Sequence, residues 1–167
     1  MLDKSEIYRL RNRRFLTPEE VKELKTQIES GDRESSYEKL RLLWEARAWN
    51  LVIAQATWHL NFAPASPTAY AYWSNALGHL GCEEGVVCVT MQGIKACDEA
   101  VINHEHAKLF LLEGELWSAR LAFDQSFRPW EDRGDREDSV LTHERQWRLF
   151  LRHHAPSKLL NPSRKRA

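Results

Sequence analysis

The sequence predicts an all-α chain: about three helical hairpins set between an N-terminal docking helix and a C-terminal closing helix. Three observations carry that prediction. Segment starts are marked by capping chemistry, a Ser or Thr followed by Pro or by Glu three residues on. Within the segments apolar residues recur at intervals of three and four, the period of one helix face. Large side chains also repeat along the chain: Tyr37, Leu40 and Trp44 return 33 residues later as Tyr70, Trp73 and Leu77, and Asn103, His106 and Phe110 follow after another 33. A period in that range marks an array of units, each too small to bury its apolar face alone.

Composition bounds the answer from outside. The chain has 167 residues, 43% of them hydrophobic, enough for one domain with a real core. Its 24 Lys and Arg balance 24 Asp and Glu, so no overall field draws it to nucleic acid, to an anionic membrane or to acidic substrates. Cys82, Cys88 and Cys97 have no paired spacing and are odd in number. They argue against a disulfide framework and read as small core residues in a reducing cytoplasm. The opening Met1-Leu2-Asp3-Lys4 runs into charged residues rather than an apolar stretch, and no later run approaches about eighteen apolar residues. Neither a signal peptide nor membrane insertion is expected, and a cytoplasmic location is.

Residues 1–16 form a basic arm, with Lys4, Arg9, Arg11, Arg13 and Arg14 against Asp3 and Glu6. It reads as a loosely docked terminus or as a group for an acidic surface. The docking helix starts at Thr17, with Pro18 at its first position and Glu20 completing a capping box, and stops at Gly31. Val21, Leu24 and Ile28 are its apolar stripe. Ser35 and Glu38 make a second capping box, opening a helix with Tyr37, Leu40, Leu43, Trp44 and Ala48 on one face. Helix breakers return at Pro64 and Pro67, where Ser66 is an N-cap for a helix carrying Tyr70, Trp73, Ser74 and Leu77 on one side.

Gly78, Gly81 and Gly85 mark the end of that helix and a turn. Apolar segments follow from Val86 to about Cys97 and from Val101 to Leu112. A turn at Glu113-Gly114-Glu115 leads into a last arm from Leu116 to Phe127. A charged connector, Glu131 to Asp138, precedes the closing helix with Val140, Leu141, Trp147, Phe150 and Leu151. The domain assignment is therefore the arm at 1–16, one helical domain at 17–155 with repeats at about 34–66, 67–99 and 100–130, and a basic tail at 156–167.

Tyr70, Trp73-Ser74 and Leu77 resemble the large, large-small, large pattern of the first helix in tetratricopeptide (TPR) repeats, whose period is about 34 residues. In the third unit Ala107 takes the small place, Phe110 the large one, Gly114 the turn, and Ala119 and Phe123 the packing positions of the second helix. Arg41 departs from the pattern at the small position of the first unit. The resemblance implies a right-handed array of TPR-like hairpins; the alternative is a non-repetitive helical bundle.

The order of docking helix, three repeats and closing helix is similar to that of class II type III secretion chaperones, as is His106-Ala107-Lys108-Leu109-Phe110-Leu111-Leu112-Glu113-Gly114-Glu115-Leu116. That likeness implies a chaperone or adaptor in virulence-associated secretion, holding a secreted substrate or secretion-system subunit in the concave groove. By the family geometry the groove positions are Glu38, Leu42, Glu45, Ala71, Asn75, His79, His104, Lys108 and Leu112. Their mixture suits an extended peptide, and equally describes a solvated helix face. The alternative function is a structural or regulatory subunit that forms homo- or hetero-oligomers through an outer aromatic face. Trp49, Trp117 and Trp130, near turns and ends among seven tryptophans, are the candidate interface aromatics.

Catalytic constellations are not expected. His104 and His106 point about 200° apart on a helix and cannot grip one metal as an i, i+4 pair would. His153-His154 suits the last turn of the closing helix. The three glycines at 78–85 lack the Gly-Lys-Ser/Thr ending and preceding strand of a phosphate loop. Glu83-Glu84 and the 131–138 run are solvated charge, and no nucleophile-base signature stands out. No enzyme activity, cofactor or metal is expected.

Overall fold

The computed structural model describes Glu19 and residues 36–126 and 136–156, with side chains from residue 143 onward in the last stretch. Among these residues there are seven helices and no strand, so the chain is all-α. The basic arm, the docking helix apart from Glu19, the Ser35 cap and the tail beyond Pro156 lie outside the described residues. The chain divides at Cys97/Asp98 into two compact units.

The first unit holds α1 (Ser36–Glu45), α2 (Trp49–Leu60), α3 (Pro67–His79) and α4 (Glu83–Ala96). Leu40, Leu43, Leu51, Val52, Ala56, Ala69 and Ala76 are fully buried where α1, α2 and α3 meet. Trp44 sets its edge against Tyr72 at 5.9 Å, and its Nε1 donates to Asn75 Oδ1 at 2.7 Å. Ser66 caps α3 by accepting from the Ala69 amide at 3.3 Å, with Pro67 in the first turn, as the sequence predicts. Its hydroxyl also meets the Tyr37 hydroxyl at 2.8 Å, so half-exposed Tyr37 ties α1 to the start of α3 rather than filling the core.

The second unit holds α5 (Glu99–Glu113), α6 (Leu116–Ser126) and α7 (Arg136–His154). Asp98 caps α5, its carboxylate accepting from the Ala100 amide at 2.8 Å. Ala107, Ala119 and Ala122 are small enough to let α5 and α6 approach closely, and Phe123 is buried beside them with Trp147 and Phe150 of α7. The Phe123 ring lies 5.1 Å from Trp147 and 4.9 Å from Phe150. Arg120 pins α7 in place: it donates to Asp124 at 2.7 Å and to Glu144 at 2.9 Å, with its guanidinium over the Trp147 ring.

One turn recurs. Arg47, Gly81 and Gly114 all have left-handed φ, at 57°, 75° and 90°, and lie 34 and 33 residues apart. At each, the next residue's amide donates five residues back and its own amide donates three residues back: Ala48 to Leu43 and Arg47 to Trp44, Cys82 to Leu77 and Gly81 to Gly78, Glu115 to Phe110 and Gly114 to Leu111. This is the Schellman closure of a helix end, which satisfies carbonyls that would otherwise lack partners. The first helix of each hairpin therefore ends in the same way.

Several expectations are corrected. Ala48 is the N-cap residue of α2, not part of the α1 face, because Arg47 has already reversed the chain. Of Gly78, Gly81 and Gly85 only Gly81 makes the turn. Gly78 is in α3 and Gly85 in α4, where a Cβ would come within 2.8 Å of Cys82 Sγ and 3.2 Å of Leu77 Cδ1. The face of α3 rotates away from Tyr70, Trp73 and Leu77, which are half-buried, to Ala69, Tyr72 and Ala76, with Ala71 and Ser74 buried on another side. Packing on more than one side favours small residues there. Cys82 and Cys88 are exposed and Cys97 is half-buried, so they are not core, since α4 buries only Val89 and Gly93. Residues 136–138 of the expected connector already belong to α7.

Candidate functional site

In the first unit the expected groove positions are largely consumed by the fold. Leu42 is 5% exposed and Ala71 1% exposed, so neither lines an open surface. Helix pairing turns them inward. Asn75 accepts the Trp44 indole hydrogen bond. The His79 ring stacks on Trp49 at 4.1 Å with 3° between planes. Trp49 is thereby half-buried and is not the exposed aromatic expected. Glu45 is exposed and pairs with Arg41 at 3.2 Å, and Glu38 is half-buried.

In the second unit His104 turns toward α7: its ring centroid is 5.1 Å from Phe150 and 6.3 Å from His154. Burial lowers its pKa, and Lys108 adds to the lowering. His154 is lowered by the same two causes. Lys108 is engaged by Glu105. His106 is half-buried, and desolvation lowers its pKa to about 4. Leu112 alone among these positions is an accessible apolar group, at 39%.

Further apolar side chains are exposed beside the Gly114 turn and along α6. Trp117 is 81% exposed, and Leu116 and Leu121 are each 52% exposed. Trp117 and Leu121 are one helical turn apart on α6, facing away from Ala119, Ala122 and Phe123. Leu116 and Leu112 flank the Gly114 turn, with Glu113 and Glu115 between them. The signal was available: Trp117 and Leu121 fall on the side of α6 away from Ala119 and Ala122, where a helix with one buried face needs no apolar residue. Trp130 lies outside the described residues. A second exposed pair, Val87 and Met91, sits on α4.

A buried polar cluster was not foreseen. Gln55 Nε2 donates to Ser36 Oγ at 2.8 Å, and His59 Nδ1 meets the same hydroxyl at 2.9 Å. Gln55 Oε1 and His59 Nε2 are buried with no hydrogen-bond partner among the described residues, and burial lowers the His59 pKa. Among the described residues no group of three or more His, Cys, Asp or Glu is placed to hold a metal, and no helix is long and apolar enough to cross a membrane. No protein-family model, curated protein or solved structure matches the chain.

Proposed function

We propose that this chain is a protein-binding adaptor or chaperone, of the kind the likeness to type III secretion chaperones implies, and that it holds its partner through the outer face of the α5–α6 hairpin. The carrying observation is the exposed pair Trp117 and Leu121, one turn apart on α6, in which the tryptophan is almost wholly exposed; Leu112 and Leu116 are also exposed, beside the Gly114 turn. A contiguous apolar patch is unfavourable to leave in water and marks an interaction surface, and tryptophan is the side chain most enriched among interface anchors. Burial of Leu42 and Ala71, and the hydrogen bond that occupies Asn75, weigh against an extended segment lying along the first helices.

The test is capture of the partner from cells that naturally make the protein. Trp117→Ser with Leu121→Ser removes the captured protein while leaving thermal unfolding unchanged. Retention of the partner by that variant, with its loss on changing Lys108 and Asn75, would return the reading to the groove. A halving of the assembled mass of the chain alone on the Trp117 change would favour the oligomeric subunit instead.

A further inference from the structure

We propose that the C-terminal end of α7 is a proton-operated strap: the rings of His104 and His154 hold it on α5 at neutral pH, and acidification releases it while Arg120 keeps the middle of α7 on α6. The inference goes beyond the protein-binding reading and does not depend on it. Two kinds of contact hold the helix. Its middle is held by charge: the Arg120 guanidinium donates to Asp124 and Glu144 and lies over Trp147, and His143 Nε2 meets Asp124 Oδ1 at 2.7 Å. Its end is held by rings. Phe150 lies 5.1 Å from His104 and 4.8 Å from His154, whose own centroids are 6.3 Å apart. His104 belongs to α5 and His154 to the last turn of α7, so each side of this seam carries an imidazole.

Protons act on the two regions in opposite senses. In the middle, a proton on His143 turns its contact with Asp124 into an ion pair and strengthens it. At the end, protons on His104 and His154 place two cations across the seam, beside Lys108 of α5 and His153 of α7. Glu105 is the carboxylate that faces these rings, and it is engaged by Lys108. Glu144, the one carboxylate among the described side chains of α7, is held by Arg120, and Arg148 and Arg152 are exposed. Burial lowers the pKa of both rings, Lys108 lowers it further, and Glu105 opposes. The terminal carbonyls of α7 favour a proton on His154 but do nothing for His104. Release returns both rings to water and to the ordinary value of 6.5, so the released state binds protons that the docked state refuses. Docking is therefore complete above pH 6.5 and is lost progressively below it. The segment beyond Trp147 is about two turns long, too short to persist as a helix once detached. Its departure uncovers Phe150 and the side of Phe123 that Phe150 covers, both buried while the strap is docked.

The experiment is amide hydrogen exchange of the full chain between pH 7.5 and pH 5, each rate divided by the intrinsic rate at that pH. At pH 7.5 residues 148–155 should already open more readily than residues 103–111 of α5 and 119–126 of α6. As the pH falls their protection should drop several-fold and vanish while the α5–α6 pair is still protected. His106→Phe should leave that drop in place. His104→Phe with His154→Phe should abolish it, because the contacts with Phe150 are kept and the protons are not. His104→Gln and His154→Gln, made singly, should each reduce it, and they decide the matter if the double variant does not fold. Protection at 148–155 that is level across the range overturns the inference. So does equal protection of all three segments at every pH, which would mean that the unit opens only as a whole. A drop that persists undiminished in the His104 and His154 variants overturns it as well.

Discussion

Lowering the pH should destabilise the second unit through His106. The ring is half-buried on α5, next to Ala107 in the core and with Phe110 one turn further on. Desolvation holds its folded pKa at about 4 against an ordinary 6.5, with Glu105 opposing only in part. The unfolded chain therefore binds a proton between those values that the folded chain refuses. The contribution of neutral His106 is complete above pH 6.5, falls as pH drops through the interval, and levels off below about 4. At about 1.4 kcal/mol for each tenfold difference in proton affinity, the gap corresponds to roughly 2–3 kcal/mol after allowance for the part of the ring that water reaches. His104 and His154 have lowered values too and add a loss of the same sign. The assay is denaturant unfolding of wild type and His106→Phe from pH 7.5 to pH 4, with hydrogen exchange assigning the transition to residues 98–126. Carboxylates that also titrate near the lower end act equally in both proteins, so the difference between the curves isolates His106. Parallel curves would refute the reasoning, whatever the absolute stability of the variant.

Other positions yield predictions of either sign. Arg47 occupies the left-handed site that Gly81 and Gly114 occupy in the later hairpins, so Arg47→Gly should stabilise the first unit by about 0.5–1 kcal/mol, and a lower denaturant midpoint would contradict this. Gly78→Ala meets only Val86 Cγ2 at 3.7 Å and should gain about 0.5–1 kcal/mol from helix propensity. Gly85→Ala forces Leu77 and Cys82 aside and should cost on the order of 1 kcal/mol, so gains at both glycines would show that α3 and α4 are less closely packed than described. Ser36→Ala strips the shared hydroxyl from Gln55 and His59 and should cost about 2–4 kcal/mol in thermal or chemical unfolding. Gln55→Leu removes an amide whose oxygen is already unpartnered and should stay within about 1 kcal/mol of wild type; equal losses at the two sites would contradict this account.

The parts of the fold legible in the sequence are those written in local chemistry. Ser66-Pro67 and Gly114 each act through neighbours a few residues away, and the ends of α3 and α5 fall where those residues predict. The turn after α1 was missed because arginine stands where the motif prefers glycine, although the hydrogen bonds are those of the other two turns. Gly78 and Gly85 misled in the opposite direction, since a glycine within a helix, whether closely packed as at Gly85 or merely tolerated as at Gly78, looks in a sequence like one required for a turn. Candidate-site residues were harder still. Whether Leu42 is exposed or buried is decided by tertiary packing, which its own spacing does not contain. Trp117 was legible because its exposure follows from a local fact, a helix with apolar residues on the face opposite Ala119 and Phe123.

The same packing bears on where the proposed partner would be held. The first unit makes its inner positions structural: Trp44 takes the Asn75 amide, Trp49 takes the His79 ring, and Ala71 is shut in. Each contact strengthens the hairpins and removes a group from recognition. In the second unit the aromatic core turns instead toward α7, through Phe123, Trp147 and Phe150, and the closing helix is fixed by Arg120 and Asp124. With α7 occupying one side of α6 through these contacts, Trp117 and Leu121 are left on another side. Binding through them need not break any interaction that holds the unit together. Under the proposed function, a surface of this kind would let a partner exchange without unfolding, whereas use of Asn75 or Leu42 would oppose binding to stability at every encounter.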